Sequence, residues 1–240
     1  MQRELYQELY RYEDQHWWFV GRRALIEKVL TSFFDKTDRR ILEIGCGTGG
    51  NLALLSTFGD VYAVEPDEEA RGRANSRRVC RVEAGELLSN MPFDEKFDLV
   101  CLFDVLEHID DDLAAVRAVG TMLAPRGKVL ITVPAYRFLW SAHDVVNHHK
   151  RRYVRRELAH LVEQAGMIVK YATYFNTLLF PLITGIRAWN NLLGKKGRSD
   201  FSMPLKPVNA MLKNVLASER FCMPGMSLPF GVSILLLVEK

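Results

Sequence analysis

The chain has 240 residues and a mass of 27.5 kDa, enough for one α/β domain with a sizeable core and some decoration. Hydrophobic residues make up 48% and charged residues 25%, the usual range for a soluble globular protein, and a net charge of +3 is too small to point to nucleic acid. Four scattered cysteines (Cys46, Cys80, Cys101, Cys222) form no CxxC pair, which argues against a zinc or redox motif and fits a reduced, cytoplasmic setting.

The N-terminus is polar and aromatic and has no apolar signal region. The longest apolar stretches, 177–186 and 232–238, fall well short of the roughly 20 residues a spanning helix needs. After the aromatic HWWFV segment, apolar residues at 25, 26, 29, 30 and 33 recur at helical spacing and predict a helix over 21–34. A short strand at 41–44 runs into the glycine-rich CGTGG, followed by a helix at 51–57, a strand at 61–64 and a helix at 68–76. Further strands are predicted at 79–82, 97–103 and 128–133, with a helix at 111–123 before the last of these. A helix at 157–165, a strand at 167–174, an irregular Pro-containing insertion at 175–230 and a strand at 232–238 complete the chain. Alternating strands and helices with short connections predict a doubly wound, mostly parallel sheet, and the split final strands predict an antiparallel edge.

The glycine loop presents backbone N–H groups at a helix start, where a ligand can approach closely. Gly45, Gly47 and Gly50 formally satisfy GxGxxG, and Glu65 stands 20 residues after Gly45, so the spacing alone also admits a nicotinamide dinucleotide. Glu43, two positions before the first glycine, would repel a pyrophosphate and suits an ammonium group. With Glu65 for ribose hydroxyls and Glu86 for an amine-bearing ring, the loop asks for a cationic nucleoside; S-adenosylmethionine meets all three demands.

EIGCGTGG, VEPD, FDLVCLFDVLEHIDD and LAPRGKVLITVP, in this order from about residue 39 to 134, resemble a class I S-adenosylmethionine-dependent methyltransferase. The resemblance implies a seven-stranded Rossmann-like sheet with an antiparallel last strand. It places Glu43 near the amino end of the cofactor, with Gly45, Cys46, Gly47, Thr48 and Gly49 beneath it. Glu65 and Pro66 go to the ribose and Glu86 to the adenine amine, while Phe103 and Asp104 line the pocket. His108 either lines the methyl-transfer region or packs under it.

The organisation expected is a single domain, 1–240, with an N-terminal helical cap (1–38), a cofactor-binding core (39–174), a lid insertion (175–230) and a last strand (231–240). The aromatic segment with its arginines resembles the cap of small-molecule methyltransferases, including those of quinone biosynthesis. Trp17 is expected at the cofactor, with Arg22 or Arg23 on its carboxylate.

Acceptor chemistry is expected from the stretch after the fifth strand, where three of the six histidines fall within seven residues. His143 or His149, beside Asp144, is the candidate general base. Lys150, Arg151 and Arg152, with Tyr136 and Tyr153, are the candidate acceptor-binding residues for an anionic group. No metal is expected, because Asp144 is the carboxylate of that run and its Lys and Arg neighbours repel a cation.

The function expected is methyl transfer to an oxygen, or less readily a nitrogen or carbon, of a small, anionic or lipid-linked acceptor. The alternatives are a nicotinamide-dependent oxidoreductase and a catalytically silent accessory subunit. Nucleic acid is not the expected substrate, since Asp104-Val105-Leu106-Glu107 stands where amino-methylating DNA enzymes carry an Asn-Pro-Pro-Tyr type of sequence. Apolar residues beside Lys195, Lys196 and Arg198 leave room for peripheral membrane contact through 177–198 at the inner face, and the state expected is a monomer or homodimer.

Overall fold

A computed structural model describes residues 3–34, 39–192 and 203–240. Its seven strands form one sheet: β1 (Arg40–Ile44), β2 (Asp60–Val64), β3 (Val82–Glu83), β4 (Phe97–Phe103), β5 (Leu123–Pro134), β6 (Ile168–Phe175) and β7 (Ser233–Glu239). The order is β3-β2-β1-β4-β5-β7-β6. β1 pairs in parallel with β2 and β4, and β4 with β5, whereas β7 runs antiparallel between β5 and β6. The expected fold class is the observed one, and β7 shows why its SILLLV run is so apolar: all six residues are buried in the sheet interior.

Two strands depart from the sequence reading. β3 is only Val82–Glu83, not 79–82, since its pairing with β2 is confined to Ala63–Val82 and Val64–Glu83; the Asn75 amide donates to the Val82 carbonyl (3.0 Å) and its oxygen accepts the Val82 N–H (2.9 Å). β5 begins at Leu123 rather than 128, since Leu123 pairs with Phe97 before the register shifts across 124–127 and resumes at Lys128 opposite Leu99.

Nine helices are described: α1 (Arg3–Tyr12), α2 (Trp17–Phe33), α3 (Leu52–Leu55), α4 (Glu68–Ser76), α5 (Asp112–Met122), α6 (Ala142–Val146), α7 (Arg155–Gln164), α8 (Phe180–Leu192) and α9 (Lys206–Ser218). α2 starts four residues before the predicted helix because His16 caps it, its Nδ1 accepting the Trp18 N–H.

Alternate strand residues feed two cores. Leu42, Val100, Ile131 and Leu236 face one side with Val119 of α5 and Leu158 of α7. Ile41, Leu99, Leu130 and Leu237 face the other with Ile26 and Leu30 of α2 and Leu216 of α9. On that second face the cap and the insertion form one layer. Gly21 makes the crossing possible, since a Cβ there would lie 2.7 Å from Leu216 Cδ2. The Trp17 N–H donates to Asn209 Oδ1 at 2.8 Å, and Asn209 Nδ2 donates back to the Gln15 carbonyl at 2.9 Å.

Buried Glu219, just beyond α9, accepts the N–H groups of Asn176, Thr177 and Leu178 at 2.6–2.9 Å and ties the start of the insertion to its end. Lys195, Lys196 and Arg198 lie outside the described residues. No described helix is long and apolar enough to cross a membrane.

Candidate functional site

A cavity of about 680 Å³ opens where β1, β4, β5 and β6 end and β7 begins, the edge where open α/β sheets place ligands. The loop after β1 forms its floor. Gly45 (φ +68°) turns the chain there, and a side chain on it would meet Val105 Cγ2 at 2.8 Å.

Gly45, Cys46, Gly47 and Thr48 face the cavity as expected. Gly49 does not, being turned toward Leu52, Ala74 and Arg77. Glu43 also lines it: Oε1 accepts the Asn51 amide at 2.9 Å, while Oε2 is buried with no hydrogen-bond partner. Burial lifts this carboxyl to about 7. An orphaned carboxylate oxygen at a glycine loop fits an incoming ammonium and disfavours a pyrophosphate.

Three further cofactor candidates are engaged within the protein. Glu65 lies outside the cavity wall, because both its oxygens serve the loop: Oε2 accepts the Gly47 N–H at 2.8 Å and Oε1 the Asp67 N–H at 3.0 Å. Pro66 offers its carbonyl to Arg71 and also stays outside. Glu86 is exposed on a tight turn, where Oε2 accepts the Ser89 hydroxyl at 2.9 Å.

The cap contributes Trp17 and Arg22 as expected. Trp18 adds a stack on Phe175, with centroids 5.8 Å apart, so the aromatic pair both packs the cap and walls the cavity. Arg22 is ion-paired with Asp104 at the end of β4, and its Nε is buried without a partner. Arg23 instead holds the Glu13 and Gly50 carbonyls. Glu13, absent from the sequence reading, bonds the Thr48 hydroxyl and Arg77 and docks the α1–α2 turn on the glycine loop.

Beyond Asp104 the wall turns polar, with His108, His143, Asn147, His149, Arg152 and Asn176. Asp144 is fully buried and does not touch the cavity. Although burial opposes it, hydrogen bonds from His149 and Arg152 hold its carboxyl well below the usual range. An ionised Asp144 can only accept, so His149 Nδ1 carries the proton of their 2.9 Å bond and Nε2, 3.9 Å from Glu107 Oε1, is the unprotonated nitrogen.

The acceptor-binding candidates are mostly held by partners within the protein. Lys150 pairs with Asp110, and Arg151 with Asp112 at 2.7 Å, both away from the cavity. Tyr153 donates to Asp112 at 3.0 Å, and Tyr136 stacks between Phe138 and Tyr174. Arg152 remains on the wall, but its guanidinium is spent on Asp144 and the Ala135 carbonyl.

The residues that sequence reading missed include Glu107, which is fully buried on the cavity wall with neither oxygen hydrogen-bonded. Burial, then the nearby Asp104 charge, raises its carboxyl well above the ordinary range. A carboxylate set between apolar Leu106 and Ile109 was the signal available for it. Asn176 is likewise buried on the wall, with both amide atoms unpartnered and a φ of +59°.

Comparison with known proteins agrees with the cavity. A methyltransferase domain family matches residues 15–170. A ubiquinone biosynthesis O-methyltransferase of Aeromonas salmonicida (strain A449) is 26% identical over 154 residues, covering 55% of this chain and 64% of that one. A probable S-adenosylmethionine-dependent methyltransferase of Mycobacterium tuberculosis (strain ATCC 25618 / H37Rv) is 29% identical over 159 residues, covering 64% of this chain and 57% of its own length. The chain thus spans less than two thirds of the length of either relative.

Among solved structures, an S-adenosylmethionine-dependent methyltransferase of Mesorhizobium loti shares the fold with a TM-score of 0.57 at 14% identity, covering 88% of this chain and 95% of that one. The family match disfavours the nicotinamide reading that the glycine spacing had left open. The orphaned Glu43 at the loop and the match over 15–170 lead to one conclusion: the chain belongs to the S-adenosylmethionine-dependent methyltransferase family.

Proposed function

We propose that this protein transfers a methyl group from S-adenosylmethionine to a hydroxyl oxygen of a small, lipid-linked acceptor. The single observation that carries the reading is the cavity itself, which joins an ammonium-accepting loop to a polar wall that includes the imidazole of His149. Held by Glu43 and the glycine loop, S-adenosylmethionine would supply an activated sulfonium methyl to the acceptor oxygen, the C–S electron pair leaving with sulfur.

The chain's own residues supply position and proton handling. Glu43 receives the ammonium, and Arg22 with Asp104 closes the site from the cap side. Asp144 orients His149 so that Nε2 takes the hydroxyl proton. Rate comes mostly from holding oxygen, carbon and sulfur in line, since the electrophile arrives already activated.

The exposed apolar side chains of Leu178 and of Leu182, Ile186 and Trp189 on α8 support a lipid-linked acceptor, because Ile183 and Ile186 of the same helix line the cavity.

Calorimetry with S-adenosylhomocysteine and with NAD, followed by methyl-labelled turnover on cell extract, tests this reading. Binding of S-adenosylhomocysteine and label in the organic phase are expected. Binding of NAD alone sinks the reading, and label confined to water-soluble products sinks the lipid-linked acceptor.

A further inference from the structure

Glu107, His108 and His149 place one ligand-type atom each within 4.8 Å of one another on the cavity wall. His149 reaches the cluster from the loop after α6, while Glu107 and His108 lie on the 3₁₀ turn Leu106–His108 that follows β4. The imidazoles of His108 and His149 meet edge to face with centroids 4.8 Å apart, and Nε2 of His149 lies 3.9 Å from Glu107 Oε1.

Two features separate this group from an ordinary buried cluster. Glu107 is fully buried with neither oxygen hydrogen-bonded, so the protein itself gives its carboxylate form no hydrogen-bond partner and leaves an oxygen donor aimed at nothing else. Further, His149 is already oriented as metal-bound histidines are: Nδ1 donates to Asp144, whose other contacts are Arg152 and Ser141. That carboxylate–histidine arrangement fixes the tautomer with Nε2 free to ligate. The positive residues of the run do not oppose a cation, because Lys150 and Arg151 turn outward to Asp110 and Asp112, and Asp144 neutralises Arg152.

We infer that Glu107, His108 and His149 form a binding site for a divalent transition-metal cation of the zinc, iron or manganese type, with its open positions facing the acceptor end of the cavity. Two imidazoles and one carboxylate are the donor set such ions take when positions are left for substrate. The atoms must close in, because metal–nitrogen bonds are about 2.0–2.1 Å long, and a rotation of the Glu107 carboxyl on its short turn supplies such a movement.

A cation there deepens the methyl-transfer reading and rests on it. It would bind the acceptor hydroxyl oxygen directly and make it acidic enough to lose its proton to solvent near neutral pH. His149 then acts as a ligand, and the base role assigned to it above lapses. The bond changes at carbon and sulfur are unaltered.

Cobalt(II) titration of chelator-stripped protein, followed by its visible absorption and by calorimetry, tests the site. One ion per chain is expected, with the spectrum of nitrogen–oxygen ligation. Glu107→Gln and His108→Ala are each expected to weaken binding on the order of 100-fold, at or beyond the upper end of what second-shell losses cost. His143→Ala, outside the three ligands, should leave cobalt affinity within about threefold, well short of even a second-shell loss.

S-adenosylhomocysteine affinity, measured on the same samples, reports folding and the cofactor end independently. Intact S-adenosylhomocysteine binding with no cobalt uptake, or with cobalt uptake unaffected by Glu107→Gln, overturns the metal site and leaves the methyltransferase reading standing. Loss of S-adenosylhomocysteine binding in the unaltered protein overturns the latter instead.

Discussion

Arg152 grips Asp144 through two hydrogen bonds, Nε to Oδ1 at 2.7 Å and Nη2 to Oδ2 at 3.0 Å, where neither side chain meets solvent. The pair fixes the histidine that faces the cavity, and it changes the meaning of the basic run. In sequence, Arg151 and Arg152 are equivalent neighbours; in the fold one is a buried clamp and the other a surface partner of Asp112.

That difference predicts unequal mutants. Arg152→Ala strands a buried carboxylate and is expected to destabilise the protein by about 3–5 kcal/mol. Arg151→Ala breaks a partly exposed pair and should cost about 1 kcal/mol or less. Urea unfolding of the two single variants checks this, and equal losses would contradict the buried clamp.

Glu43 predicts a pH dependence of the ligand-free protein. Its carboxyl titrates near 4.5 ordinarily and near 7 when buried in the fold. The unfolded chain therefore releases this proton first, so the stability that Glu43 contributes falls as pH rises from about 4.5 to about 7 and stays low above that. Glu43→Gln should remove that part of the slope, an effect of up to about 3 kcal/mol at pH 8, while weakening S-adenosylhomocysteine binding. Melting temperatures of the two proteins across that range provide the measurement; parallel curves would mean that Glu43 is not titrating in the window.

The α2–α9 crossing predicts a packing mutant. Gly21→Val places branches where a Cβ alone would already approach Leu216 Cδ2 to 2.7 Å. Overpacking of this kind is expected to cost about 1–3 kcal/mol, and since Trp17 and Trp18 ride on α2, cofactor affinity should fall with it. A variant with unchanged stability and unchanged S-adenosylhomocysteine affinity would show that the cap and the insertion are not coupled.

Local features determined the fold class, the position of the glycine loop and Glu43 as the acid beside it, because each depends on residues a few positions apart. A strand that ends in glycines must present its backbone at a helix start, and a strand as apolar as β7 must be covered on both faces. The sequence also singled out the histidine-rich run, three of whose side chains, His143, His149 and Arg152, line the cavity. It did not say which of those side chains turn inward.

Tertiary structure decided the rest. Glu65 went to the Gly47 N–H behind the loop, and Glu86 folded onto Ser89. Lys150 and Arg151 were drawn outward by Asp110 and Asp112, some forty residues earlier in the chain. Glu107, unremarkable inside DVLEHIDD, met His149 only because the turn after β4 and the loop after α6 close on the same cavity. Such meetings depend on which strands are neighbours and how far each loop reaches, and periodicity, which reports only a residue's own helix or strand, carries no record of them.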